Sequence, residues 1–193
     1  MTSNNDTTHF GLTRRHLIGT AAAGAAIVSS PAVLRAQAAP VKLGILQPVT
    51  GNLAQDGEYG RLGAEIAINE INAGGGIKSL GGARIEMVFG DARSNPEGGT
   101  QEVEKMHADG VVAVVGGFAS PIALAASQAA SRYDLPYVVD VGVSDQIVSR
   151  GLKNTFRFGP GFGTVTRLAI ENLVKLNDSA GKPAKTVVLV HED

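Results

Sequence analysis

The sequence predicts an α/β fold in which helices cover a parallel β-sheet, and three observations carry this prediction. Short runs of Val, Ile and Leu alternate along the chain with longer segments of helical periodicity, as in successive βαβ units. The run at 111–115 is apolar throughout, which is typical of a strand covered on both faces. Hydrophobic residues make up 44% of the 193 residues, enough to fill a core, so a wholly disordered chain is excluded.

In the first half of the chain, a strand is predicted at 41–46, an apolar run bounded by prolines. A helix is predicted at 58–73, where apolar residues recur at i, i+3, i+4 and i+7, and the glycines at 74–76 end it. A second strand is predicted at 84–89. The next helix, at 96–109, follows an Asn-Pro pair that suits an N-cap and a first turn, although two glycines weaken it.

In the second half, the β-branched run at 111–115 predicts a third strand. Ser120-Pro121 then begins an Ala-rich helix that is predicted to reach about residue 133, with Ser as its N-cap and Pro in its first turn. The remaining predicted elements are strands at 136–141, 154–158 and 186–191 and a helix at 162–176.

The first 38 residues are predicted to be a twin-arginine signal peptide. A pair of arginines precedes a weakly apolar stretch at 18–34, and a small-x-small sequence follows it. The alternative is an uncleaved membrane anchor, but the stretch contains Gly, Ser and Pro and falls short of the ~20 strongly apolar residues of a span. We therefore expect export to the periplasm. The signal residues are Arg14, Arg15, Ala36 and Ala38.

Several functions are excluded or disfavoured by composition and by missing motifs. The net charge of −1, without a basic stripe, argues against nucleic-acid binding, and the absence of Cys excludes disulfides and thiolate metal sites. No G-x-G-x-x-G follows the first strand, and no G-x-S-x-G is present. His107 stands alone on its helix, and Glu102 and Glu104 point apart. We expect no catalytic residue, no metal site and no cofactor, and hence no enzyme.

A ligand site is expected where the strands end, because α/β sheets bind ligands outside the carboxyl ends of their strands. Ser120 is the most informative residue there. A helix that begins at this edge directs free N–H groups and its positive dipole toward the cleft, where a small carboxylate could bind beside the Ser120 hydroxyl. In the alternative interpretation, Ser120 only caps its own helix. The loops that form this edge are 47–57, 90–95, 116–121 and 140–146.

Several segments of residues 41–193, taken together and in register, resemble a known family. They are Pro48–Gly51 with Gly57 and Gly63-Ala64, then Glu70–Ile77, Gly90-Asp91, Gly116–Ser120 and Thr155–Arg157. In these residues the chain is similar to the branched-chain amino-acid binding proteins, which are type I periplasmic solute-binding proteins of ABC importers.

The resemblance implies a periplasmic-binding-protein-like fold of two α/β lobes, joined by crossover strands, that trap a ligand between them. It assigns 39–160 to the N-terminal ligand-binding lobe and 161–193 to the beginning of the second lobe. Because family members run about twice as long as this chain, only the first lobe and the start of the second are expected here, and a truncated product is inferred.

The resemblance also implies the roles of individual residues. Ser120, with the adjacent backbone N–H at Ala119, matches the position that holds the ligand α-carboxylate. The segment of Val141, Gly142 and Val143 matches the one that offers carbonyl and hydroxyl groups to the ligand. A hydroxyl is missing at Val143, and the neighbouring Ser144 could replace it. Asp56 stands where leucine-type members have an aromatic side chain, and this departure suits a more polar ligand.

The function implied is that of an extracytoplasmic substrate-binding protein of an ABC importer. It would act as a monomer, capture an amino acid of the branched-chain type or a related small carboxylate or amide, and deliver it to a permease in the inner membrane. Two alternatives stay open at this point: a periplasmic ligand-sensing module of a receptor, and a secreted enzyme whose catalytic groups lie outside these 193 residues.

Overall fold

The computed structural model describes residues 38–190. The predicted signal residues Arg14, Arg15 and Ala36 lie outside this range, and Ala38 is its first residue. The strands are β1 (Val41–Gln47), β2 (Ile85–Asp91), β3 (Ala113–Gly116), β4 (Tyr137–Val139) and β5 (Thr155–Arg157). The helices are α1 (Ala54–Ala73), α2 (Pro96–Ala108), α3 (Ser120–Ser131), α4 (Gln146–Ser149) and α5 (Phe162–Ser179), with a 3₁₀ turn at Lys78–Leu80.

The five strands form one sheet in the order β2-β1-β3-β4-β5. Every pair is parallel, as the solid apolar runs predicted. The chain passes from β1 outward to β2, then returns to the other side of β1 to form β3. This reversal is a topological switch point, and it separates the loops that follow β1 and β3, the usual place for a ligand in an open parallel sheet.

The core lies between the sheet and the pair of helices α2 and α3. Leu46, Val114 and Tyr137 of the sheet are fully buried there against the Ala-rich face of α3. Gly99 lowers the helix propensity of α2, but the packing of α2 against α3 explains why a glycine is found there. A Cβ at Gly99 would lie 2.9 Å from Cγ2 of Ile122, so the missing side chain lets the two helices approach closely.

Helix α1 begins at Ala54, four residues before the start that the sequence predicts. The backbone N–H of Gly57 donates to the carbonyl of Leu53 at 2.9 Å, so the first turn forms although it contains glycine. A Cβ at Gly57 would collide with the carbonyl of Pro48. This glycine therefore lets α1 start close to the end of β1. The earlier start places Asp56 in the first helical turn and not in a loop.

The prediction of a strand at 186–191 is wrong for residues 186–190, the part of it that the structure describes. Residues 183–190 form neither helix nor strand, and the side chains of Val187 and Val190 are 73% and 92% exposed. A strand needs a hydrogen-bonding neighbour, and within residues 38–190 no strand pairs with this segment. The preceding helix α5 also has no buried residue, although Phe162, Leu173 and other apolar side chains lie on it.

Two further differences are smaller. The short helix α4 is absent from the sequence prediction and is anchored by Ile147, which is fully buried. Strands β4 and β5 are shorter than predicted because only three residues of each pair with a neighbour. None of the helices within residues 38–190 is both long and apolar enough to cross a membrane.

Candidate ligand-binding site

The loops that follow β1 and β2 are joined through a single carboxylate, that of Asp91. It accepts hydrogen bonds from the Val49 N–H at 3.0 Å, the Thr50 hydroxyl at 2.6 Å and the Arg93 N–H at 2.8 Å. Partial burial works to raise the pKa of this carboxyl, but the hydrogen bonds outweigh it, so the pKa lies below its usual value. The ionised Asp91 thus holds the first loop against the end of β2.

Ser94 adds a second connection between the same two loops. Its hydroxyl donates to the carbonyl of Thr50 at 2.6 Å and accepts from the N–H of Leu53 at 3.1 Å. Arg93 and Ser94 both adopt a positive φ, of 50° and 54°, which is uncommon for residues other than glycine. The hydrogen bonds to Asp91 and Ser94 therefore hold a strained turn in place beside the start of α1.

Helix α3 begins at the carboxyl end of β3, after two glycines with positive φ. Gly117 donates its N–H to the carbonyl of Leu46 at 2.9 Å. The N-cap of α3 is Ala119, whose side chain makes no capping bond, and Ser120 is the first helical residue. The expectation that Ser120 is the N-cap is therefore wrong by one position.

The first backbone hydrogen bond of α3 runs from the N–H of Ala123 to the carbonyl of Ala119 at 2.9 Å. The N–H groups of Ser120 and Ile122 lie before it, and Pro121 has none. Neither N–H has an acceptor within residues 38–190, so this helix start presents two donors and the positive end of its dipole at the carboxyl edge of the sheet.

The hydroxyl of Ser120 points away from its own helix backbone. Its Oγ accepts a hydrogen bond from the N–H of Ser144 at 3.1 Å, across 24 residues of sequence. The interpretation of Ser120 as a residue that only caps α3 is therefore wrong. Because a hydroxyl that accepts a bond keeps its own proton, Ser120 can still donate to a bound carboxylate.

The loop after β4 exposes fewer groups than the resemblance implies. The carbonyl of Val143 accepts from the N–H of Phe162 at 2.9 Å and from Nη1 of Arg157 at 3.2 Å, so it is not available to a ligand. This corrects the expected role of Val143. Within residues 38–190 the carbonyls of Val141 and Gly142 accept no hydrogen bond, and the Ser144 hydroxyl makes none.

A buried side-chain contact that the sequence did not predict crosses the end of β3. Nε2 of Gln47, a residue only 2% exposed, donates to Oδ2 of Asp140 at 2.5 Å. Gln47 is the last residue of β1 and Asp140 follows β4, and β3, which lies between these strands, ends at Gly116. Gly60 of α1 makes room for this contact, since a Cβ there would lie 2.8 Å from the Gln47 side chain.

The structure brings some of the predicted residues together and leaves others apart. Ser120 and Ser144 are in direct contact, and Ala119 precedes the helix start between β3 and α3. Asp56 is exposed in the first turn of α1 and makes no hydrogen bond to the other candidates within the described range. Residues 38–190 contain no group of three His, Cys, Asp or Glu side chains that could hold a metal ion.

Comparisons with known proteins bear on the family and the fold. The sequence profile of the periplasmic binding protein family matches residues 40–193. Leu/Ile/Val-binding protein homolog 8 of Brucella abortus (strain 2308) is 34% identical over 182 residues, which cover 93% of this chain and 44% of the relative. The chain thus spans less than half the length of the curated relatives it matches.

Solved structures share the fold. LivJ of Streptococcus pneumoniae, a branched-chain amino acid transporter substrate binding protein in complex with isoleucine, aligns with a TM-score of 0.59 at 28% identity, over 63% of this chain and 34% of its own. The leucine binding protein LivK of Thermotoga maritima aligns with a TM-score of 0.60 at 23% identity, over 69% and 38% of the two chains. The fold in common is the one that the resemblance implied.

Proposed function

This chain belongs to the periplasmic binding protein family, and from that premise we propose that it captures a small ligand for an ABC importer. The ligand is an amino acid of the branched-chain type or a related small carboxylate or amide, and the recipient is a permease in the inner membrane. Relatives named as Leu/Ile/Val-binding proteins and a solved neighbour that binds isoleucine support the choice of ligand class.

The observation that carries the proposal is the start of α3. The Ser120 hydroxyl and the free N–H groups of Ser120 and Ile122 form a set of donors suited to one carboxylate. Across the site, the free carbonyls of Val141 and Gly142 and the hydroxyl of Ser144 suit an ammonium group. The α-carboxylate and α-ammonium of an amino acid would thus be recognised by different loops of the same sheet edge.

Binding free energies indicate that these contacts give tight binding only together with contacts from a second lobe. One lobe offers about three charge-assisted hydrogen bonds, each contributing ~1.5–3 kcal/mol. Association costs on the order of 4–15 kcal/mol, and micromolar affinity requires about −8 kcal/mol net. The described lobe alone should therefore bind at millimolar concentration or weaker, and tight capture requires closure of a second lobe.

The side chain of the ligand is the least constrained part of the proposal. Asp56 is exposed at the start of α1, where leucine-type members carry an aromatic residue by resemblance. A carboxylate at this position favours a ligand whose side chain is polar over one that is purely aliphatic. Family members that bind amides, urea-like solutes or aromatic acids are the other ligand classes to test.

The experiment is calorimetry on the full-length mature protein, without residues 1–38, against the twenty amino acids, small amides and aromatic acids. Saturable heat with one ligand class is the expected result. The absence of saturable heat for every compound would contradict the proposal. The family is one of solute-binding proteins and not an enzyme class, so we propose binding without catalysis and expect no product from the bound ligand.

Periplasmic binding proteins work outside the cytoplasm, and we propose the twin-arginine route for this one. The paired Arg14 and Arg15 before a weakly apolar stretch support that route. Replacing both with lysine should retain the protein in the cytoplasm of a twin-arginine-competent host, as measured by fractionation. Unchanged export would point to another route. The receptor-module alternative has no support from the relatives and is not proposed.

A further inference from the structure

Arg157, the last residue of β5, directs both Nη groups of its guanidinium at the loop that follows β4. Nη1 donates to the carbonyls of Val143 at 3.2 Å and Ser144 at 2.9 Å, and Nη2 lies 3.3 Å from Oδ1 of Asp145. Nε donates to the carbonyl of Gly159 at 3.0 Å. The Arg157 side chain is only 10% exposed, so its bonds to the three carbonyls are partly shielded from water, whereas the Asp145 side chain is 53% exposed.

The same loop also forms hydrogen bonds with the first two residues of α5, Phe162 and Gly163. The second oxygen of Asp145 accepts the N–H of Gly163 at 2.7 Å, and Val143 accepts the N–H of Phe162 at 2.9 Å. A Cβ at Gly161 would collide with Asp145 and Arg157, so the segment can lie this close only because it carries glycine there. Arg157 and the segment 161–163 thus hold three consecutive residues of the loop, Val143–Asp145.

These bonds decide which loop groups remain for a ligand. The carbonyls at 143 and 144 are turned toward Arg157, while those of Val141 and Gly142 and the Ser144 hydroxyl are left free. We propose that Arg157 is a positioning residue, which orients the loop so that the ligand ammonium meets the Val141 and Gly142 carbonyls. The inference rests on the proposed function, because it concerns the ammonium subsite of that same site.

The chemistry of the guanidinium explains why Arg and not Lys is needed here. Arg is planar, stays protonated and presents five donors in a fixed fork, so it can serve three carbonyls and a carboxylate at once. A lysine ammonium on a flexible stem cannot hold the same four acceptors in one geometry. Arg157→Lys should therefore recover only part of what Arg157→Met loses.

The first test does not depend on a ligand. In the full-length mature protein, amide hydrogen exchange at Phe162 and Gly163 should rise at least tenfold in R157M and less in R157K. The N–H of Val114, which donates to the carbonyl of Pro136 at 2.8 Å within the sheet, serves as the reference for global opening. Exchange that rises equally at Val114, or that does not rise at all, would overturn the inference.

The second test measures selectivity with isoleucine and its 2-oxo acid, 3-methyl-2-oxopentanoate, which lacks the ammonium. In the wild type, isoleucine should bind more tightly. R157M should reduce the ratio of the two dissociation constants at least tenfold, with partial recovery in R157K. Equal weakening of both ligands would mean that Arg157 acts only on stability, which contradicts the proposal.

The matched control is Arg150, which also donates to a backbone carbonyl and a side chain, those of Leu124 at 3.2 Å and Ser127 at 2.7 Å. R150M should leave the selectivity ratio and the exchange at Phe162 and Gly163 unchanged. If the wild type binds neither ligand, the proposed preference for branched-chain amino acids fails, and the hydrogen-exchange experiment still decides whether Arg157 positions the loop.

Discussion

Replacing Ser120 with alanine removes both bonds that this hydroxyl can make. The change removes Oγ of Ser120, which accepts a hydrogen bond from the N–H of Ser144 at 3.1 Å. It also removes one donor for a ligand carboxylate. Loss of a partner at a desolvated polar contact costs about 1–3 kcal/mol, so Ser120→Ala should raise the dissociation constant about fivefold to about 150-fold. Calorimetry with whichever compound binds the wild type gives the value directly.

Two further variants make this result interpretable. Ser131 lies in the last turn of the same helix, and its hydroxyl donates only to the carbonyl of Gln128 at 3.0 Å, so Ser131→Ala should leave affinity unchanged. Ser120→Thr keeps a hydroxyl and should recover most of the affinity. If Ser120→Ala binds within twofold of the wild type, the start of α3 is not the carboxylate site and the reasoning from its free N–H groups is refuted.

Two other predictions concern stability. Folding lowers the pKa of Asp91, so the Asp91 carboxylate binds a proton more readily in the unfolded state than in the folded state. The contribution of Asp91 to the free energy of unfolding is therefore fully present above about pH 4, and it is lost as the pH falls through the folded-state pKa. Urea unfolding from pH 6 to pH 2.5 should show this decline, and Asp91→Asn should flatten it; an equal slope in both proteins would contradict the assignment. Within α1, Gly57→Ala should destabilise by about 1–3 kcal/mol through collision with Pro48, whereas Gly63→Ala, with no atom within 4 Å of the new Cβ, should stabilise by about 1 kcal/mol. Destabilisation of similar size by both changes in chemical denaturation would contradict this account.

Most of the sheet could be predicted because its strands are locally distinctive. The apolar runs at 41–46 and 111–115 are short, and Ile45, Leu46 and Val114 within them are buried in the core, as is typical of strands in a covered sheet. The prediction was wrong at 186–190 for the complementary reason. A strand is completed by its neighbour, and an apolar run contains no information about whether that neighbour is present.

The contacts among the candidate site residues could not be predicted from the sequence. Ser120 was identified from a local Ser-Pro signal, yet its partner Ser144 lies 24 residues away, and the pair of Gln47 and Asp140 is separated by 93. No local pattern specifies such pairings, because the sheet order creates them. Arg157 was recognised only as part of a motif, and its bonds to the loop carbonyls changed the role expected of Val143.

The glycine at the end of β3 limits how the proposed ligand site can be redesigned. At a φ of 136°, Gly116 cannot take a side chain without strain, and any Cβ there would also strike the carbonyl of Leu46. Laboratory evolution or biosensor engineering that aims at a new analyte should therefore leave this position alone. Libraries at Val141, Ser144 and Asp56, which are at least partly exposed, offer the productive route.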